Sequence, residues 1–372
     1  ISGVADLIKI PILTKYELLN LQRSSPPFGG FLATPAENLE RIFVSPGPIY
    51  DPMENLEKLV EPAHDLLSGI GIGKGDIALN TFSYHLVPAS WAIDDILRKI
   101  GVTVIPSGTG NTELQMQIMR ELKVSIFAGT PSFLSTIIKR AEDSGYKFKE
   151  DFSLRIAFSA AEILPESLRR NFEEVYGINV FNLYGVTDVL VVGCECQEKR
   201  GFHVPENLIF EIVDPNTGKQ LGPGEVGEVV VTNLLSKSYP LIRFGTGDLS
   251  SYTDEPCPCG KKTRRLMGIV GRVGEATKVR GMFLQPKQLE EAISKYPQVS
   301  KFQAIVSRPA QRDELALRVE LSSAEIDKEQ LSEALSKSFQ EVCRVKVDKI
   351  EFVAQGEIAP GGKLLVDKRT WK

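Results

Sequence analysis

Ile77-Ala78-Leu79-Asn80-Thr81-Phe82, then an amphipathic stretch over 86–100, then Val102-Thr103-Val104-Ile105-Pro106: this passage sets the fold class. Its two end runs are almost continuously apolar, whereas the stretch between them repeats apolar residues at helical spacing. An apolar run without polar alternation suits a strand buried on both faces. That is the condition of a parallel sheet covered by helices. Reading outward, the alternation continues. Runs 124–128, 154–159 and 180–183 are further expected strands, with helices over 112–122, 132–143 and 165–176. Upstream, Thr14-Lys15-Tyr16-Glu17 predicts a capping box that opens an earlier helix.

After Gly185 the rhythm changes. Runs 189–194, 208–213, 227–234 and 240–244 are separated by turn strings such as Asp214-Pro215-Asn216-Thr217-Gly218, and predict an antiparallel, barrel-like β subdomain over about 189–271. A third pattern then follows, with helix 286–294, strands 302–307 and 315–321, helix 328–342 and strand 349–352. The expected architecture is α/β plus α+β. A large N-terminal domain with a mostly parallel sheet spans 1–271, and a small α+β domain spans 272–372.

Composition narrows the function classes. The chain has 372 residues, 42% hydrophobic and 25% charged, with a net charge of −4. Lacking a basic excess, it is not expected to bind nucleic acid. The basic run Lys261-Lys262-Thr263-Arg264-Arg265 reads as a solvated loop. No window approaches the roughly 18 uninterrupted apolar residues of a membrane span, and no signal peptide opens the chain, so a cytoplasmic protein without a membrane partner is expected. Because the first residue is Ile1 and not Met, further N-terminal residues are expected to precede it. Of five cysteines, four form Cys-x-Cys pairs, Cys194/Cys196 and Cys257/Cys259, a pattern better suited to an intracellular metal site than to disulfides.

Three loop strings carry chemistry. Tyr184-Gly185-Val186-Thr187-Asp188, Arg243-Phe244-Gly245-Thr246-Gly247-Asp248 and the segment 271–281, which opens Gly271-Arg272-Val273-Gly274-Glu275, each set hydroxyls, a carboxylate or a guanidinium beside glycine. Glycine there lets a ligand approach the backbone. Each alone reads equally as an ordinary turn. In this order, and with the late Pro360-Gly361-Gly362-Lys363, they resemble the adenylate-forming enzymes, closest to the phenylacetate-CoA ligase branch. The resemblance runs from about Lys9 to Arg369.

That resemblance implies the adenylate-forming enzyme fold, with a small mobile C-terminal domain, and a reaction in two halves. A carboxylic acid and ATP give an acyl-adenylate, and the thiol of CoA then displaces AMP. It implies that Ala160-Ala161-Glu162 lines adenine, Tyr184 and Gly185 lie beside the nucleotide, and Thr187 meets the α-phosphate. Asp188, one methylene shorter than the usual glutamate, would hold Mg²⁺. Asp248 and Arg272 would hold the ribose, Lys363 would stabilise developing charge with Lys368 as a competitor, and Gly274 would be the hinge in place of an aspartate. Arg243 is expected to be a structural ion-pair partner. Tyr84, His85, Ser107 and Gly108 fall where the family shapes its acyl pocket. The branch also carries a Cys…His…Cys-x-Cys set, which implies a structural Zn²⁺ on Cys196, His203, Cys257 and Cys259, leaving Cys194 spare. The resemblance allows a homodimer.

One departure is large. Where the family has a phosphate-cradling loop rich in backbone N–H donors, this chain has Val44-Ser45-Pro46-Gly47-Pro48-Ile49-Tyr50. Pro46 and Pro48 have no N–H, and no lysine follows. Ser107-Gly108-Thr109-Gly110 resembles a phosphate loop but follows the wrong strand, and reads as pocket wall. Three alternatives therefore stay open: an adenylation enzyme with a non-CoA acceptor, a nucleotide- or acyl-binding homologue without turnover, and a zinc-bearing β subdomain that serves as an interaction surface.

Overall fold

The computed structural model describes residues 3–45, 48–67, 69–273, 277–280, 282–284, 286–307, 309, 313–323, 326–359 and 361–369. The chain divides into two compact units, Ile1–Ile269 and Val270–Lys372.

The first unit is built on a nine-stranded sheet. Its spatial order is Tyr252–Thr253, Arg265–Leu266, Phe202–His203, Leu190–Glu195, Asn179–Val186, Ile156–Ser159, Ile126–Gly129, Ile77–Asn80, Thr103–Pro106. From Asn179–Val186 to Thr103–Pro106 neighbours are parallel; on the other side they are antiparallel. The apolar runs are continuous because alternate residues enter different cores. Ala78, Ile126, Ala128, Ile156 and Phe158 pack with helices Leu56–Leu67 and Ala89–Ile100. Leu79, Phe127, Ala157 and Val180 pack with Thr112–Glu121 and Pro131–Asp143. Either face would be unstable in water, so both are covered.

A second sheet runs Leu13–Thr14, Phe244–Ser250, Gly227–Asn233, Leu208–Val213. Leu13–Thr14 leads directly into helix Lys15–Ser24, whose Thr14/Glu17 capping box forms as the sequence predicts. Two strand expectations change. Leu190–Glu195 does not join the barrel-like sheet; it continues the large sheet in antiparallel sense. The run 240–244 is not a strand, which instead spans Phe244–Ser250. Arg243 explains the shift. It sits at φ 51°, its N–H donates to Thr232 Oγ1, and its buried guanidinium pairs with Glu211 at 2.9 Å and donates to the Ile10 carbonyl at 2.6 Å. That turned backbone ends the extended run before Phe244. The basic run is a solvated loop only in part: Lys262 and Arg264 are exposed, but its other cations are engaged. Lys261 donates to the last carbonyls of helix Leu56–Leu67, and Arg265 is 3% exposed.

The second unit has a four-stranded sheet, Lys349–Val353, Glu314–Leu321, Val299–Ser307, Leu365–Asp367. Phe302, Ala304, Val306, Leu315, Leu317 and Val319 form a core with residues of helices Pro286–Ser294 and Lys328–Cys343. Val299–Ser307 alternates buried with half-buried residues, as expected of a sheet covered on one face.

Candidate active site

The carboxyl-terminal ends of the parallel strands carry most of the residues singled out above, the edge at which open α/β sheets bind ligands. Thr187 and Asp188 lie in the turn between Asn179–Val186 and Leu190–Glu195. Glycine is required at 185, since a Cβ there would meet the Leu190 carbonyl oxygen at 3.0 Å. The Tyr184 ring is buried beside Phe202, and its hydroxyl is the part that reaches outward, donating to Asp248 Oδ2 at 2.9 Å. Thr246 adds to this join: its hydroxyl accepts the Asp248 N–H at 3.1 Å and lies 3.2 Å from the Tyr184 hydroxyl. Two strings whose contacting residues lie 64 positions apart in the sequence thus meet through one hydroxyl–carboxylate contact.

Asp188 is turned inward. Its side chain is fully buried, Lys15 Nζ stands 3.0 Å from Oδ2, and Oδ1 has no hydrogen-bond partner. Beside it is Asp51, which no motif or spacing singles out. Burial first, then the Asp188 charge, push the Asp51 carboxyl up to about 8, against weaker pulls from Ser45 and Lys15. A buried oxygen-rich pair with open lone pairs suits a hard cation, so Mg²⁺ fits Asp188 chemically. Arg41–Ser45 and Ile49–Met53 pair as a hairpin, with Ser45 opposite Ile49. Their connection is Pro46-Gly47-Pro48, of which Pro46 and Gly47 lie outside the described residues.

Ala160, Ala161 and Glu162 follow strand Ile156–Ser159, with Ala161 at φ 67°. Glu162 is tied to the start of helix Pro131–Asp143, accepting from Ser132 Oγ at 2.8 Å. Further along the edge, the Tyr84 hydroxyl donates to Asp94 at 2.9 Å and accepts from Asn80 Nδ2, while its ring meets Trp91 edge-on at 5.4 Å. His85 is exposed. Ser107 and Gly108 are stitched to the neighbouring strand: the Gly108 N–H and the Ser107 hydroxyl both donate to the Asn80 carbonyl. Gln115 holds them from the other side, donating to Ser107 Oγ and the Gly108 carbonyl. The Gly108 N–H is therefore spent inside the protein.

Arg272 belongs to the second unit, in strand Gly271–Arg272. Gly274 lies outside the described residues, as does Pro360. Lys363 is exposed just before strand Leu365–Asp367, with its carbonyl held by Gln303 Nε2 at 3.0 Å; Lys368 is exposed just after it.

The cysteines form a separate cluster. Cys196, His203, Cys257 and Cys259 offer ligand atoms that all lie within 4.8 Å of one another, a set able to hold a metal ion. Cys196 Sγ and Cys257 Sγ are 3.7 Å apart, and Cys259 Sγ is 3.4 Å from His203 Nε2. Thr263 Oγ1 stands 3.0 Å from the other ring nitrogen and fixes the imidazole plane. Burial, with Lys261 and Arg265, pulls His203 down to about 4, so the ring is neutral and its nitrogen is available to a cation. Cys194 is elsewhere: it packs in the core among Leu183 and Leu190, and burial pushes its thiol up to about 12.

Lys15, Gln22 and Asp51 were missed by sequence reasoning, although all three border Asp188 or its neighbours. The only local sign is the pairing of a lysine and a glutamine two turns apart on one otherwise amphipathic helix.

Comparison with known proteins identifies the class first. The fold matches a solved 2-hydroxyisobutyryl-CoA ligase, crystallised with 2-HIB-AMP and CoA, with a TM-score of 0.87 across 98% of this chain and 83% of that one, at 23% identity. It is the fold of adenylate-forming CoA ligases. Residues 96–236 match the family described as AMP-binding enzyme, and 281–368 its AMP-binding enzyme C-terminal domain. A phenylacetate-coenzyme A ligase of Thermus thermophilus is 32% identical over 345 residues, covering 89% of this chain and 76% of the relative. That of Escherichia coli is 31% identical over 337 residues, covering 87% and 75%. The chain belongs to the AMP-binding enzyme family, in its phenylacetate-CoA ligase-like branch.

Proposed function

We infer that the protein is an AMP-forming acid–CoA ligase. A carboxylate oxygen bonds to the α-phosphorus of ATP and pyrophosphate leaves. The CoA thiol then bonds to the acyl carbon, AMP departs with that oxygen, and the thiol proton passes to solvent. The observation that carries this reading is the meeting of Tyr184, Thr246 and Asp248 beside the turn holding Thr187 and Asp188. Family membership supplies its chemical context.

In this reading Asp248 accepts the ribose hydroxyls, preset by the Tyr184 hydroxyl, and Arg272 joins it. Thr187 donates to the α-phosphate. Magnesium bound at Asp188 would offset phosphate charge. Ala160, Ala161, Glu162 and Gly185 line the base, while Tyr84, His85, Ser107 and Gly108 border the acid. Lys363 brings an ammonium to the charge that develops in the adenylate-forming half, and Gly274 supplies the hinge. Cys196, His203, Cys257 and Cys259 would hold a structural Zn²⁺, for which three sulfurs and one imidazole are a suitable donor set. The test is pyrophosphate release with a panel of aryl and short acyl acids, followed by CoA-dependent thioester formation. Release with at least one acid, and thioester only when CoA is added, is expected. AMP binding without release from any acid would instead mark a binding homologue.

A further inference from the structure

Asp51 has no part in the roles above, yet its buried carboxyl is poorly accommodated. The residue is 2% exposed, and apart from Ser45 and the Lys15 charge, which pull only weakly on the carboxyl, no described donor meets its oxygens. A buried carboxylate without donor or counter-ion is strongly disfavoured unless a cation or a proton meets it. Its position is not accidental. Gln22 donates to the Tyr50 carbonyl at 2.7 Å and accepts the Tyr50 N–H at 2.8 Å, clamping the backbone just before Asp51 to helix Lys15–Ser24. The same Gln22 donates to the Tyr239 hydroxyl at 2.8 Å, and the Asp51 and Asp188 charges both act on that hydroxyl.

Lys15, two turns earlier on the helix, reaches Asp188 Oδ2 and stops there. Asp188 Oδ1 has no partner among the described residues, and the oxygens of Asp51 find no well-formed hydrogen bond there, only the weak pull of Ser45. Ser45 is 1% exposed and lies beside Asp51 in the paired strands, close enough for its hydroxyl to act on that carboxyl. Once Asp51 gives up its proton, two carboxylates face one lysine among the described residues, which meets only one of their oxygens, and the pocket is short of positive charge.

We propose that Asp51 and Asp188, with the Ser45 hydroxyl, form a two-carboxylate site for a hard divalent cation of the magnesium class, which binds without nucleotide, and that Lys15 substitutes for the cation in its absence. The magnesium role of Asp188 rests on the proposed function; Asp51 and Ser45 as its companions, and occupancy before nucleotide, go beyond it. The donor set is the one magnesium and manganese prefer, oxygen throughout with room left for water or phosphate ligands. It also gives the proline-bearing hairpin a purpose. Where backbone N–H groups are missing, a resident cation supplies the positive charge that phosphate oxygens require.

The probe is Mn²⁺, titrated into nucleotide-free protein purified without chelator and read by loss of the free-ion electron paramagnetic resonance signal. The expected result is about one site per chain besides any metal retained on purification, weakened about tenfold or more by Asp51→Asn and tightened by Lys15→Met, which removes the competing ammonium. Asp51→Asn should also raise the melting temperature of the Mn²⁺-free protein and abolish the rise that Mn²⁺ causes in the parent. Should that variant not fold, Ser45→Ala, weakening Mn²⁺ several-fold, carries the test. Equal Mn²⁺ affinity in parent and variant, or no Mn²⁺ uptake without nucleotide, overturns the proposal. Pyrophosphate release keeps the two readings apart. Mn²⁺ bound through Asp51 in a chain that releases no pyrophosphate retains the site and removes the ligase. Release by a chain that ignores Asp51→Asn in Mn²⁺ binding does the reverse.

Discussion

In its proposed role as ribose acceptor, Asp248 would meet its ligand already oriented. The Tyr184 hydroxyl and its own N–H bond to Thr246 hold the carboxylate in place before any ribose arrives, so little side-chain entropy remains to be lost on binding. Nucleotide affinity should therefore reside in these contacts and only weakly in the triphosphate, because Pro46 and Pro48 offer no N–H. Calorimetry should find AMP and ATP binding alike in the absence of divalent cations; a hundredfold preference for ATP, about 2.7 kcal/mol, would contradict this. Asp248→Ala should weaken AMP by about 2–3 kcal/mol, the scale of charge-assisted hydrogen bonds. At the cysteine cluster the contrast is between neighbours. Cys257→Ser should lose zinc and Cys194→Ser should retain it, as measured by metal content after gel filtration. Cys194 sits in the apolar core among Leu183 and Leu190, away from the other donors and the wrong place for a ligand.

Among elements, the parallel strands are fastened at their amino ends by one carboxylate. Asp76 accepts from Arg155 at 2.7 and 2.6 Å, from the Ser125 hydroxyl at 2.7 Å and from the Gly73 N–H at 3.0 Å. These residues immediately precede strands Ile77–Asn80, Ile126–Gly129 and Ile156–Ser159 or the loop before them. Burial acts to raise the Asp76 pKa, but Arg155, Ser125 and Gly73 together hold it below its usual value of 3.8. The sign follows directly. A depressed carboxylate stabilises the fold above its unfolded pKa, and that stabilisation is lost as pH falls through the folded value. Asp76→Asn should cost about 1 kcal/mol at pH 7, allowing for the half-exposed Arg155. Urea titrations should show the gap between parent and variant closing below about pH 4. At the other end of the same strands Gly129 is fixed by space: a Cβ would stand 2.2 Å from Thr81 Oγ1 and 2.5 Å from Phe127. Gly129→Ala should destabilise by about 1–3 kcal/mol.

At the scale of the whole molecule, the two units each have a core of their own, so the chemistry of Asp248 and that of Lys363 belong to independently packed bodies. If Lys363 serves the first half-reaction alone, Lys363→Ala should slow pyrophosphate release by on the order of 10²-fold or more. Conversion of a supplied acyl-adenylate and CoA to thioester should persist. Equal loss in both halves would argue that the lysine supports folding or binding instead.

What the sequence determined by itself was whatever depends on neighbours along the chain. The run 124–128 announced a two-sided strand because its alternate residues, Ile126 and Ala128 against Phe127, enter separate cores, and Thr14 with Glu17 announced a helix start because both partners lie within one turn. The loop strings and the Cys-x-Cys pairs were legible for the same reason: a turn's chemistry is local. Tertiary structure alone decided that Leu190–Glu195 extends the large sheet and that Arg243 breaks the next strand, since the partners responsible, Asn179–Val186 and Glu211, are chosen by packing. It alone brought Lys15 to Asp188 across 173 positions and placed Asp51 beside them. Periodicity shows whether a residue faces a core; it does not show which other buried charge it will face there, because that depends on how layers formed from distant segments close on one another.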